Sequence, residues 1–197
     1  MSRTRRSQDH WGHRAKREGH AARSVYKLEE IDRRVRLFKP GMRVLDLGAF
    51  PGSWTVFAAQ KIGPKGHALG LDLQEVRIPL PPNAEMRVQD VMAEDLSHVL
   101  GDRYDVVMSD MAPATSGHRF TDQARSFRLF MRALQIADDL VVRGGSFVGK
   151  IFVGPDFEEA RKEIARIFEE VKIIKPPASR TESIETFLVG LRKRERS

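Results

Sequence analysis

Val44-Leu45-Asp46-Leu47-Gly48-Ala49-Phe50-Pro51-Gly52-Ser53-Trp54 is the stretch whose reading decides the fold. Val44 to Leu47 is an apolar run interrupted by one acid, the pattern of a parallel strand buried on both faces. The run stops at Gly48, turns through a Gly/Pro loop and resumes as a helix at Ser53-Trp54-Thr55-Val56-Phe57-Ala58-Ala59. Strand, glycine loop and helix make the first unit of a doubly wound sheet. Such sheets bind ligands beyond the carboxyl ends of their strands. Without a Cβ, glycine lets the backbone turn tightly and a bulky ligand approach closely.

The loop also says something about its ligand. A dinucleotide site uses G-x-G-x-x-G, with backbone amides aimed at a pyrophosphate. Here the spacing is Gly48-x-x-Pro51-Gly52, and Asp46 stands just before it. A carboxylate repels phosphates, so the sequence favours S-adenosylmethionine, which has none and carries a cationic ammonium and sulfonium. The plainer reading is a glycine turn that only joins strand to helix.

The chain of 197 residues is expected to form one domain with a substantial core. No apolar run reaches the roughly 18 residues of a membrane span, and no apolar segment follows the basic N-terminus as in a signal peptide. Cysteine is absent, which excludes disulfides and thiolate zinc sites and is compatible with a reducing cytoplasm. A net charge of +7 points to a polyanionic partner. That charge is clustered. Residues 1–24 hold Arg3, Arg5, Arg6, Arg14, Lys16, Arg17 and Arg23 against Asp9 and Glu18, with Trp11 as a stacking face. With little to bury, residues 1–23 are expected to be a flexible arm that orders on RNA phosphates. A passive tail is the alternative. Residues 24–197 form the single domain.

From Ser24, Val25, Leu28, Ile31, Val35 and Phe38 recur at helical spacing, with Lys27 beside the stripe. After the Trp54 helix, His67 to Leu73 reads as a second buried strand. Asp72 near its end suits the two hydroxyls of an adenosine ribose. Met86 to Asp90 is a short third strand, and Asp90 suits an adenine amino group. Singly, each acid could be no more than a helix N-cap. Tyr104 to Ser109 is the fourth strand, and Asp110 closes it. A helix over about 121–142 follows, with Arg143-Gly144-Gly145 expected as its C-cap turn. Ser146 to Val153 is a strand with Lys150 in its middle. A helix over 157–170 and two strands, 171–174 and 184–191, complete the chain, the last two as an antiparallel edge hairpin.

Lys150 is the anomaly, since an ammonium in an apolar strand is costly unless a carboxylate meets it. Asp110 ends the neighbouring strand and can meet it. Glu185 is a second acid among strand residues. A structural ion pair, or a lysine snorkelling at the sheet edge, would explain the same spacing without catalysis.

Asp46-Leu47-Gly48-Ala49-x-Pro51-Gly52-x-Trp54, Ser109-Asp110-Met111-Ala112-Pro113, Gly144-Gly145-Ser146-Phe147-Val148-x-Lys150, and Ser179-Arg180 with Glu185, resemble the FtsJ-type RNA ribose 2′-O-methyltransferases. The resemblance runs from about Arg23 to Lys193. It implies a Rossmann-like class I S-adenosyl-L-methionine-dependent α/β fold, with a seven-stranded, mostly parallel sheet. It implies a catalytic tetrad at Lys27, Asp110, Lys150 and Glu185. Cofactor contacts fall on Asp46, Gly48, Pro51, Gly52, Trp54, Asp72, Asp90 and Asp110. No metal is implied, and the histidines lie mainly in the arm without ligand spacing.

Three positions depart from the family pattern. Ser53 and Ala114 stand where glycine and asparagine are usual, and Ala114 bears on how the target ribose is anchored. Gly149 replaces a β-branched residue, which predicts looser packing. The resemblance implies methylation of a uridine ribose in the peptidyl-transferase region of large-subunit ribosomal RNA, within the assembled large subunit, by a cytoplasmic monomer that needs no membrane. A transfer-RNA methyltransferase, a nicotinamide oxidoreductase and a non-catalytic RNA-binding assembly factor are the alternatives. The loop spacing argues against the oxidoreductase, and the intact tetrad against the inert binder.

Overall fold

The computed structural model describes residues 17, 22–94, 96, 100, 101, 103–179 and 183–195. Apart from Arg17, Ala22 and Arg23, the basic arm lies outside the described residues, as does Arg180.

The elements in chain order are α1 (Val25–Val35), β1 (Arg43–Leu47), α2 (Ser53–Ile62), β2 (His67–Asp72), β3 (Ala84–Val88), β4 (Tyr104–Ser109), α3 (Arg119–Leu140), β5 (Val141–Phe152), α4 (Phe157–Ile167), β6 (Phe168–Ile174) and β7 (Glu185–Lys193). The seven strands form one sheet in the order β3-β2-β1-β4-β5-β7-β6. β3, β2, β1, β4 and β5 run parallel. β7 enters antiparallel between β5 and β6. The chain order reverses between β1 and β4, the place where an open α/β sheet offers a crevice.

Side chains alternate across a strand, so each strand contributes to two cores. Leu45, Leu47, Val107, Phe147, Ile151 and Leu188 pack on one side with Phe130 and Ala133 of α3 and Ile164 of α4. Val44, Val106, Met108, Val148, Phe187 and Val189 pack on the other with Leu28 and Ile31 of α1 and Trp54 and Ala58 of α2. The same alternation assigns Asp46, Asp110, Lys150 and Glu185 to that second side. Four charged residues, far apart in sequence, thus share the face covered by α1 and α2.

Two expectations are corrected. Arg143-Gly144-Gly145 does not cap α3. The helix ends at Leu140 and the chain passes directly into β5. Between the pairs Tyr104↔Val141 and Val106↔Ser146 the register shifts, so β5 bulges here, and Gly144 takes the positive φ of 79° within it. Gly149 does not loosen the packing either. A Cβ there would lie 2.6 Å from Phe147 Cζ and 2.8 Å from Phe130 Cε2. The missing side chain is replaced by the buried Phe130 ring, set edge-on to Phe147 at 5.6 Å.

Candidate active site

The loop after β1 is pinned by its own backbone: Gly48 N and Ala49 N both donate to Leu71 O at the end of β2, at 2.9 and 3.0 Å. Gly48 and Gly52 have φ of 76° and 98°, values an L side chain strains to adopt. A Cβ on Gly48 would also overlap the Met111 side chain, so this glycine lets the β4 loop close against the β1 loop.

Beside this junction lies a cleft of about 330 Å³. Its lining comes from the ends of all four strands around the reversal, including Gly48, Asp72, Asp90 and Asp110, with Leu129 of α3. Asp72 is held by two amides, Phe50 N to Oδ2 and Gln74 N to Oδ1, each 2.9 Å. Asp90 Oδ1 accepts from Met92 N at 2.8 Å. Both acids therefore brace their own turns and still face the cleft. The sequence reading missed its apolar wall, which includes Phe50, Leu73, Met92 and Met111. Phe50, Leu73 and Met92 are large apolar residues left exposed. Their signal was available: apolar side chains just after strand-end acids, in Asp72-Leu73 and Asp90-Val91-Met92.

Asp46 sits beneath the cleft, 1% exposed. Its Oδ2 accepts from Thr55 Oγ1 at 2.7 Å, while Oδ1 has no hydrogen-bond partner among the described residues. Burial pushes its pKa up to about 7 against the opposing Thr55 bond, and the charges of Asp110 and Asp72 push the same way. Thr55 was not singled out from sequence.

Pro51 and Gly52 shape the loop rather than line the cleft, with Gly52 packed under Ile78 and Val76. Trp54, expected at the cofactor, is a core residue at 3% exposure. Its indole Nε1–H donates 2.9 Å to Ser24 O at the start of α1, and its ring packs on Phe187 at 5.7 Å. The ring is large and apolar, and α2 turns it inward between α1 and β7, away from the cleft.

The four residues of the expected tetrad meet as two ion pairs. Lys150 Nζ lies 2.9 Å from Asp110 Oδ1 and donates 2.5 Å to Asp110 O. Lys27 Nζ lies 2.6 Å from Glu185 Oε1 and sits over the Phe187 ring at 5.9 Å. The register that pairs Lys150 with Phe187 and Phe152 with Glu185 sets the two pairs side by side. Burial would raise the Glu185 pKa, but Lys27 and then Lys150 hold it below the ordinary glutamate value. Asp110 belongs to both the cleft and the lysine pairs. A cleft that ends at a lysine–carboxylate cluster suits transfer of a group from a bound donor to an acceptor arriving at the lysines.

The model of the FtsJ-like methyltransferases matches residues 21–193. The chain belongs to that family. Among relatives of this FtsJ-like methyltransferase, a "Ribosomal RNA large subunit methyltransferase E" of Sorangium cellulosum is 52% identical over 91% of this chain and 85% of its own length. One of the same description from Oleidesulfovibrio alaskensis is 52% identical over 93% of this chain and 90% of its own. A Plasmodium falciparum protein described as a ribosomal RNA methyltransferase superposes with a TM-score of 0.78 at 23% identity, over 90% of this chain and all of that one. Aeropyrum pernix fibrillarin, in complex with S-adenosyl-L-methionine, does so at 0.57 and 16%, over 78% of this chain and 67% of that one. At these identities the two structures speak for the fold, that of the class I methyltransferases. Among the described residues no helix is long and apolar enough to cross a membrane, and no cluster of His, Asp and Glu could hold a metal ion.

Proposed function

We propose that this FtsJ-like methyltransferase transfers a methyl group from S-adenosylmethionine to the 2′-hydroxyl of a uridine ribose in large-subunit ribosomal RNA. The observation that carries the reading is Asp110, which lines the cleft while it holds Lys150. The cleft suits that cofactor. Asp72 and Asp90 present fixed carboxylates to ribose hydroxyls and an amino group, the apolar wall suits an adenine ring, and the orphaned Oδ1 of Asp46 suits a cationic donor. The cofactor supplies a methyl group already activated on a cationic sulfur.

The chain's own task is then to align a ribose oxygen and handle its proton. Having released one proton to solvent, Lys150 Nζ would keep an N–H on Asp110 O and offer its lone pair to the 2′-hydroxyl. That bond fixes the oxygen beside the cleft. The hydroxyl proton passes to Nζ of Lys150 in its amine form, and Asp110 holds the ammonium that results. Lys27, neutralised by Glu185 until RNA arrives, takes the neighbouring phosphate or the charge growing on the oxygen. The names of the relatives support large-subunit ribosomal RNA as the substrate, and the reading extends to the assembled subunit, in the cytoplasm, with the enzyme acting as a monomer.

Single-turnover methylation of ribosomal RNA from a strain lacking the gene, with the modified ribose mapped by mass spectrometry, tests both substrate and residues. Lys150→Ala is expected to keep cofactor and RNA binding and to lose about 10²–10⁴-fold in rate. Lys150→Arg is expected to fail almost as badly, because guanidinium stays protonated. Near-wild-type turnover in Lys150→Arg would show that the residue only orients the oxygen.

A further inference from the structure

Among the described residues, Phe120 is the most exposed aromatic side chain and lies outside both the core and the cleft. Phe120, in the first turn of α3, is 78% exposed, more than the other large apolar residues of the described chain. α3 is stitched to the end of the lysine strand: Ser126 Oγ accepts from Phe152 N at 3.0 Å, and Gln123 Nε2 donates 2.6 Å to Val153 O. Phe120 is one turn before Gln123, and Val153 is itself 45% exposed. Val153 follows Lys150 by three strand residues, about 10 Å of chain. The first turns of α3, which carry the phenyl ring, therefore lie beside the carboxyl end of the lysine strand.

The exposed charge on these turns is mainly positive. Arg119, Arg125 and Arg128 are exposed on the same first turns. Arg125 is one turn before Leu129, which lines the cleft, so it lies on the cleft side of α3. Several exposed arginines of other helices are paired within them, Arg33 and Arg34 with Glu30, Arg161 with Glu158, Arg166 with Glu163. The acid in this part of α3, Asp122, accepts from Ser116 N and Oγ, both at 2.8 Å, and its charge also acts on Arg125.

Resting on the proposed RNA reading, we propose that Phe120 is a stacking platform for a base next to the methylated nucleotide, with Arg119 and Arg125 holding the flanking phosphates of that single strand. Aromatic rings bind any unpaired base by its π-face, and arginines track the backbone. The platform would hold the strand so that the target ribose hangs over Lys150.

The test measures binding of a short uridine-containing single strand, and of the same strand with abasic positions, by fluorescence anisotropy in the presence of S-adenosylmethionine. Phe120→Ala is expected to weaken binding of the intact strand about 5- to 100-fold, as for loss of one stacked base. It should have little effect on the abasic strand. Phe120→Trp should restore binding, and Phe120→Leu should not. Arg119→Ala with Arg125→Ala should flatten the salt dependence. Cofactor affinity and melting temperature should stay at wild-type values. Wild-type binding in Phe120→Ala, or rescue by Phe120→Leu, overturns the platform. If wild-type protein methylates ribosomal RNA while Phe120→Ala does so equally well, the platform fails and the functional reading stands. If wild-type protein binds and methylates no RNA, both fail.

Discussion

Asp46 carries its charge at a cost that pH should reveal. Its folded pKa of about 7 lies above the 3.8 of an unperturbed aspartate. The folded state therefore binds more protons than the unfolded one between those values, and stability falls as pH rises through that window. Above it the loss is complete, at most about 4 kcal/mol for a shift of this size. A cationic ligand beside the carboxylate acts in the opposite sense, since it binds the ionised form better. S-adenosylmethionine affinity of the wild type should therefore rise from pH 6 to about pH 8, while the melting temperature of the free protein declines. Asp46→Asn should flatten both curves and weaken cofactor binding by about 1.5–3 kcal/mol, the range for a hydrogen bond to a charged group. Calorimetry and thermal melts across that range check it, and a wild-type affinity that falls with pH would place the cation elsewhere. The sequence showed Asp46 as the acid before the loop. It could not show Thr55 reaching back to it, because that contact depends on how α2 lies over β1.

At the scale of elements, the strand–loop–helix pattern of residues 44–59 was legible because glycines and apolar periodicity are local signals. Trp54 was not, because its partners come from α1 and β7, which only the sheet order brings to it. The helix α1 starts where its chain is held by the Trp54 indole, and Lys27 lies one turn into it, over the Phe187 ring that Trp54 also touches. Trp54 thus sets where the helix begins and hence where Lys27 points. Trp54→Phe keeps most of the ring and loses only the N–H. With about 1 kcal/mol for such a hydrogen bond, the rate of methyl transfer should drop roughly fivefold and cofactor affinity should hold. Single-turnover kinetics beside calorimetry separates the two. A drop in cofactor affinity with an unchanged rate would return Trp54 to the cofactor site. The bulge at Gly144 escaped sequence reading for a similar reason: Gly-Gly after a helix signals a C-cap and a bulge alike, and the pairing of β5 with β4 chooses between them.

For the whole molecule, the net charge of +7 and the fold are separable. The core and both lysine pairs are built from residues after 23, with Ala22 O and Arg23 O receiving only the first amides of α1. Residues 1–21 carry Arg3, Arg5, Arg6, Arg14, Lys16 and Arg17, so their removal takes away six cations and two acids, Asp9 and Glu18. A chain beginning at Ala22 should keep its melting temperature and its S-adenosylmethionine affinity, because no part of either site is lost. Its RNA affinity should fall at low salt and approach that of the full chain at high salt. The slope of log affinity against log salt should become shallower by about 0.7 for each single-strand phosphate contact given up. On the proposed reading, in which the arm supplies attraction and the lysine pairs supply geometry, the chemistry on bound RNA should be unimpaired. Titration of both chains with the same RNA at a series of salt concentrations, beside single-turnover rates at saturating protein, measures each separately. Equal slopes would show that the arm makes no phosphate contact, and the RNA would then be held by the folded face alone.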